Sequence, residues 1–261
     1  MGIINLGPDS FYDGGKYRNK LEIIDRADRL LNEGAAILDL GAASSRPGSA
    51  LVDEKTELQT LMPALEVVLQ KFPQAVISID TYNAGVAAAA IKAGAHIIND
   101  ISAGEVDPRM FETIARLQVP YIMMHMKGTP ASMQQNPVYE DIVKEIAFYF
   151  AQKVDALRQL GVHDIILDPG FGFGKTLEDN YMLLNQLNYF RIFELPLLVG
   201  VSRKSMINKV LGTRPQDALN GTTVINTLAL QKGASILRVH DAAQAMEAIR
   251  LVEKLVQNNA E

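Results

Sequence analysis

The sequence predicts an α/β protein of the TIM (β/α)8 barrel class, built as one domain over residues 1–261, on three observations. Eight short apolar, β-branched runs recur along the chain, each followed by a helical or helix-length segment. At 261 residues, eight such units take about 30 residues each, which suits this barrel better than a doubly wound sheet of five or six strands. No Gly/Ser/Pro-rich linker divides the chain.

The elements follow in order. Strand one is GIIN (2–5), entered directly from Met1, so the N-terminal segment that commonly covers the bottom of such a barrel is expected to be lacking. Leu21, Ile24 and Leu31 predict the buried face of the first helix, ending before Gly34. Strands are then expected at AILDL (36–40), AVISID (75–80), HIIND (96–100) and YIMMHM (121–126). Ile142, Ile146, Phe150, Val154 and Leu157 form a long helical stripe that stops at Gly161, a residue suited to a C-terminal cap. Strands at DIILDP (164–169), LPLLVGVS (195–202) and SILRVH (235–240) follow, and Met246, Ile249, Val252 and Val256 mark the buried side of the last helix. Such continuous apolar runs suit strands covered on both faces of a parallel sheet.

Composition narrows the function. With 48% hydrophobic residues the chain can bury a large core. It contains no cysteine, which excludes disulfides and thiolate chemistry and is compatible with a cytoplasmic protein. The net charge of −5 with no basic block argues against nucleic acid as a partner. No charged-then-apolar leader and no long apolar run points to secretion or to a membrane.

In this barrel the active site forms where strands end. Those positions carry Asn5, Asp39, Asp80, Asn99 with Asp100, His125, Asp168, then Ser202-Arg203-Lys204, then Arg238 and His240. Helix capping accounts for any one of them; polar residues at all eight ends ask for a shared purpose. Strands one to six supply carboxylates and amides, whereas Arg203, Lys204, Arg238 and His240 come from seven and eight, where this fold often binds phosphate. That half is read as an anion pocket. The other half suits a flat, nitrogen-rich ring, because a buried carboxylate pairs with a guanidine-like N–H edge through two hydrogen bonds.

The stretch DPGFGFGK (168–175) belongs to this cup. It misses the phosphate-loop spacing at Pro169 and the dinucleotide spacing at Lys175. Its glycines let the backbone turn tightly beside a ligand, with Phe171 or Phe173 against a ring. His125 reads as a hydrogen-bonded structural histidine. The long loops 5–16 and 41–50, rich in Gly, Pro and Ser, read as closing lids.

Taken together, MGIINLGPDSFYDGG, GAASSRPG, ISIDTYN, GAHIINDI, MMHMKGTPASMQ, LDPGFGFGK, LLVGVSRKSMI and RVHD, in this order and over essentially the whole chain, resemble the dihydropteroate synthase family of pterin-binding barrels. The resemblance implies that (7,8-dihydropterin-6-yl)methyl diphosphate and p-aminobenzoate condense to 7,8-dihydropteroate, in folate biosynthesis, with release of pyrophosphate. By matching position, Asp80, Asn99, Asp168 and Lys204 would hold the pterin ring, with Phe173 and Met124 lining its pocket and Gly200 at its edge. Asn5, Arg238 and His240 would hold the diphosphate, and Asn5 would ligate Mg²⁺. Phe11, Ser44, Ser45, Arg46 and Pro47 would form the aminobenzoate site when the loops close. Arg46, Asp80, Asp168 and Lys204 are the expected catalytic set. The family also implies a homodimer and a target of sulfonamides.

The chain departs from the family pattern at two loop positions. Gly7 replaces a threonine in the first loop, and Ala43 removes a carboxylate from the second, where Ser45 keeps a hydroxyl. Two rival readings stay open at this point: a pterin-binding domain that passes a methyl group to a corrinoid, and a paralogue that binds pterin without turnover.

Overall fold

Asn5 stands opposite Gly41, Gly41 opposite Asp80 and Asp80 opposite Asn99, so consecutive parallel strands bring their last residues side by side. The structure, a computed structural model, describes residues 1–6, 16–42, 51–128, 133 and 137–257, with the side chains of 16–19, 256 and 257 outside that description. Six strands form one continuous parallel ladder: β1 (Gly2–Asn5), β2 (Ile37–Gly41), β3 (Val76–Asp80), β4 (Ile97–Asp100), β5 (Tyr121–Met124) and β6 (Ile165–Asp168). Two short strands, β7 (Leu198–Val199) and β8 (Ile236–Leu237), pair with each other. Parallel bridges join Leu167 to Leu197 and Gly2 to Val239, and these close the cylinder. The seam is held by the amide of Ile3 donating to Val239 and that of Val239 donating to Met1. The expected barrel is present, as a single domain.

Helices α1 (Lys16–Asn32), α2 (Glu54–Lys71), α3 (Ala84–Ala93), α4 (Met110–Leu117), α5 (Ile142–Gln159), α6 (Leu177–Asn185), α7 (Ser205–Leu211), α8 (Leu219–Gln231) and α9 (Ala242–Gln257) surround it. The period of two along each strand sorts residues between two cores. Leu38, Leu40, Ile77, Ile79, Ile98, Tyr121, Met123, Ile165 and Leu167 face outward into the layer shared with the helices. Their neighbours face inward: Ile97, Ile122 and Leu198 pack with Met1, Ile37, Ile166 and Ile236 as a separate apolar plug inside the cylinder. Two residues further along the same inward rows lie Asp39, Asn99, Met124, Asp168, Gly200 and Arg238. The polar cup therefore stands directly on a dry floor.

Several element details differ from the sequence expectation. The α5 stripe is buried as read, and Gly161 takes the left-handed backbone just past the helix (φ +78°). In α1 the buried face is Ile23, Ala27 and Leu30, one position round from the expected one, and Leu21 is 60% exposed. In α9 the buried stripe runs through Ala242, Ala245, Ala248 and Val252, with Met246 and Ile249 at its edge. Alanines pack these helices closely on the sheet, a contribution that apolar bulk along the sequence understates. Strands seven and eight are much shorter than their apolar runs. Beyond β7 the chain leaves the ladder at Gly200, and Arg203 adopts a left-handed backbone (φ +59°).

Candidate active site

Arg238 is the hub of the cup. Its Nε donates to Oδ2 of Asp39 at 2.6 Å and its Nη2 donates to Oδ2 of Asp80 at 2.7 Å. Asp39 also accepts from Nδ2 of Asn99 at 3.2 Å. Burial works against the charge of Arg238, but the two carboxylates together hold the guanidinium protonated. Ring half and anion half, expected to be separate walls of opposite charge, are thus tied by one ion-pair network.

Lys204, the residue before α7, reaches across to donate to the carbonyl of Phe171 at 2.6 Å, and its ammonium lies 4.6 Å from the centre of the Phe173 ring. Burial lowers its pKa to about 8, while the charges of Asp168 and Asp80 pull it upward. Lys204 therefore senses both carboxylates. Burial likewise pushes the carboxyls of Asp80 and Asp168 up, opposed by Arg238 at the first and Lys204 at the second. Oδ1 of Asp168 accepts from the amide of Gly170 at 2.8 Å. Phe173 and Met124 meet in a small cluster with Tyr82, Ile101, Met126 and Met133, an apolar wall beside Lys204. A Cβ placed on Gly200 would lie 3.8 Å from Cβ of Arg238 and 3.9 Å from Nζ of Lys204, so the bare backbone there faces the gap between the two cations.

The glycine-rich stretch has a local explanation. Nζ of the buried Lys175 donates to the carbonyls of Gly170 at 2.8 Å and Phe173 at 3.0 Å, and lies 3.1 Å from Nδ1 of His125. Burial lowers Lys175 to about 7. Burial, with Lys175 beside it, lowers His125 to about 2, so its ring is neutral. Thr176, suggestive of a phosphate loop, closes a capping box with Asp179 at the start of α6. The lysine holds the loop from beneath and does not face a ligand. Gly170, Gly172 and Gly174 all have positive φ (+72°, +83° and +62°), and a Cβ on Gly170 would collide with the carbonyl oxygen of His125. His125 is structural, as the sequence suggested.

At the seam, Nδ1 of His240 is 3.0 Å from Oγ of Ser202 and its amide donates to the same oxygen at 3.2 Å, while Arg26 donates to its carbonyl at 2.6 Å. Burial and the neighbouring Arg238 lower its pKa to about 4, so it is neutral at pH 7 and adds no positive charge. Arg203 corrects the sequence expectation outright. Its guanidinium is turned out of the cup onto Asp241 (2.7 and 2.8 Å) and onto the carbonyls of Pro215 and Gln216. Asp100, one residue past the inward-facing Asn99, points to the outer layer, where it accepts from Ser102, Gly104 and Tyr121. Asn5 ends β1 exposed, beside the β8 seam.

The structure so gathers Asp80, Asn99, Met124, Asp168, Phe173, Gly200, Lys204, Arg238 and His240. Phe11, Ser44, Ser45, Arg46 and Pro47, with Gly7 and Ala43, lie outside the described residues, as do nearly all positions of the two expected lids. The motif resemblance gives Asp39 no role. Its position at the end of an apolar run was a signal, but its partner lies 199 residues away. No three His, Cys, Asp or Glu side chains gather as a metal cluster among the described residues, and no helix among them is long and apolar enough to cross a membrane.

Comparison with known proteins agrees with this geometry. The family model described as pterin binding enzyme matches residues 1–240. The chain is 43% identical to the dihydropteroate synthase of Escherichia coli K12, over 97% of this chain and 90% of that one. The crystal structure of the Yersinia pestis dihydropteroate synthase with a sulfonamide drug complex superposes with a TM-score of 0.92 at 41% identity, covering 98% of this chain and 94% of that one. The Xanthomonas albilineans dihydropteroate synthase with 4-aminobenzoic acid gives 0.90 at 36% identity, covering 98% and 92%.

Proposed function

The chain belongs to the pterin binding enzyme family, as one of its dihydropteroate synthases, and from that premise we propose how its cup divides the work. The enzyme joins two small molecules, a dihydropterin methyl diphosphate and p-aminobenzoate, into 7,8-dihydropteroate and releases pyrophosphate. The observation that carries the residue assignment is the linked set Asp39, Asp80, Asn99, Asp168, Lys204 and Arg238 over one apolar floor.

In this reading Asp80 and Asp168 accept the N–H edge of the pterin, Asn99 and Lys204 complete its rim, and Phe173 with Met124 covers its face. Gly200 gives the ring edge room between Lys204 and Arg238. Arg238 and His240 bind the diphosphate, one as a cation and the other as a neutral donor. When the exocyclic C–O bond breaks, the leaving pyrophosphate takes the electron pair and the electron-rich dihydropterin shares the positive charge of its methylene carbon. The neutral arylamine then attacks that carbon and loses a proton, a step that needs positioning more than a strong base. Phe11, Ser44, Ser45, Arg46 and Pro47 form the aminobenzoate side of the site, a role that rests on the motif resemblance.

Magnesium fits the donor set. A diphosphate ester carries more negative charge than Arg238, the cation assigned to it, can balance, so its binding needs further positive charge. Asn5 is exposed, and its side-chain amide oxygen is a hard donor suited to Mg²⁺, which commonly takes few protein ligands and several phosphate oxygens. When bound there, Mg²⁺ would neutralise charge on the leaving group.

Homodimerisation in the cytoplasm completes the proposal. Val210 and Leu211 on α7 and Val224 and Leu228 on the adjacent α8 expose an apolar strip, and the lack of cysteine suits a reducing compartment. Aminobenzoate-dependent pyrophosphate release tests the function. No release would overturn it, and binding of a corrinoid would favour the methyl-transfer alternative. A monomeric mass in light scattering would remove the dimer.

A further inference from the structure

Asp39 is the one carboxylate of the cup that no substrate can touch: its relative exposure is 0%. It stands on the inward row of β2, between Ile37 of the apolar floor and Gly41 at the rim. An ionised carboxylate this deep costs several kcal/mol unless well paired. Its partners are Nε of Arg238 at 2.6 Å and Nδ2 of Asn99 at 3.2 Å. An apolar side chain would continue the floor without that cost, so the carboxylate has work to do through its partners.

A guanidinium offers two forked edges, a side edge of Nε with Nη2 and an end edge of Nη1 with Nη2. Asp39 and Asp80 occupy the side edge. Nη1 has no hydrogen-bond partner among the described residues. We propose that Asp39 is a positioning residue for the diphosphate end of the substrate: it pins Arg238 by Nε so that the end edge stays aimed at the phosphate oxygens. Asp80 cannot serve as that anchor, because in the reading above the same carboxylate answers to the pterin ring. Asp39, fully buried, makes no direct claim on the ring and reaches it only through Asn99 at 3.2 Å, a longer contact than the 2.6 Å one to Arg238. This inference rests on the assignment of Arg238 to the diphosphate.

The test uses the full-length enzyme with inorganic pyrophosphate and Mg²⁺ as one probe and a phosphate-free hydroxymethylpterin as the other, both by calorimetry. In Asp39→Asn, which keeps side-chain volume, the pyrophosphate Kd is expected to rise by about tenfold or more while the pterin Kd stays within about threefold. Adding Arg238→Lys to Asp39→Asn should weaken pyrophosphate no further than Arg238→Lys alone, since both act through one guanidinium. Unchanged pyrophosphate affinity in Asp39→Asn, or an equal loss for both probes, overturns the inference. If Asp39→Asn does not fold, the wild type still decides: the Nε–H of Arg238 should exchange slowly with solvent by NMR, with and without pyrophosphate, and exchange as fast as in an exposed arginine overturns it. Full pyrophosphate binding by Arg238→Ala would instead overturn the assignment of Arg238 itself.

Discussion

Nη2 of Arg238 lies 2.7 Å from Oδ2 of Asp80, so the ends of the cup proposed for the diphosphate and for the ring share an ion pair. The guanidinium comes from the residue just past β8 and the carboxylate from the end of β3, 158 residues earlier in the chain. Both sit above a dry floor and are largely shielded from water, where electrostatic contacts act strongly and losing one partner is costly.

Removal of Arg238 should unfold the barrel more readily. Arg238→Met leaves Asp39 and Asp80 facing each other without a cation, and breaking a buried pair in this way costs about 3–5 kcal/mol. Combining it with Asp39→Asn removes one of the stranded charges and should restore part of that loss. Urea unfolding of the two single variants and the double variant measures the coupling, and simple additivity would contradict the network.

Turnover should fall on the alkaline side as Lys204 loses its proton. Burial lowers this lysine from 10.5 to about 8, so the ammonium that faces Phe173 and Asp168 is present below that pH and is lost above it. The profile of kcat/KM for the pterin substrate should therefore bend downward near pH 8. In Lys204→Arg the guanidinium stays charged throughout this range, so the bend should vanish even if the absolute rate drops. An unchanged alkaline limb in that variant would assign it to another group.

Gly170→Ala should damage both fold and activity. The residue sits at φ +72°, where a Cβ costs about 1–2 kcal/mol by itself. In addition, that Cβ would meet the carbonyl oxygen of His125, a backbone atom held by the strand-end bond of its own amide to Asp168. Thermal unfolding should shift down by several degrees, and pterin affinity should fall with it because Gly170 also donates to Asp168. Gly161→Ala, with open space around its Cβ, is the matched control and should show only the backbone cost.

Much of this arrangement was legible from order along the chain. Asp80, Asn99 and Asp168 end apolar runs, and in a barrel such endings converge, so topology alone gathers them. Pairing was not legible. Arg203 and Arg238 look alike as cations after a strand, yet a left-handed backbone at Arg203 turns one outward to Asp241 while the pleat turns the other inward. Lys175 and Lys204 present the same difficulty, since only the fold shows that one holds loop carbonyls from below and the other reaches the Phe173 ring. His240 looked like a member of a cationic cluster; its burial beside Arg238, invisible in one dimension, makes it neutral.

The protonation state of His240 gives a last, direct test of the anion end. Burial and Arg238 lower its pKa from 6.5 to about 4, and burial with Lys175 lowers His125 to about 2. Because both values lie below the range, each ring is uncharged at every pH from about 5.5 to 8, where an unperturbed histidine would change charge. Imidazole resonances followed by NMR across that range should therefore stay fixed for these two residues, with His240→Gln and His125→Gln identifying their signals. A His240 signal that moves with a midpoint near 6.5 would mean a cation at neutral pH. It would also give the proposed diphosphate end a second positive charge beside that of Arg238.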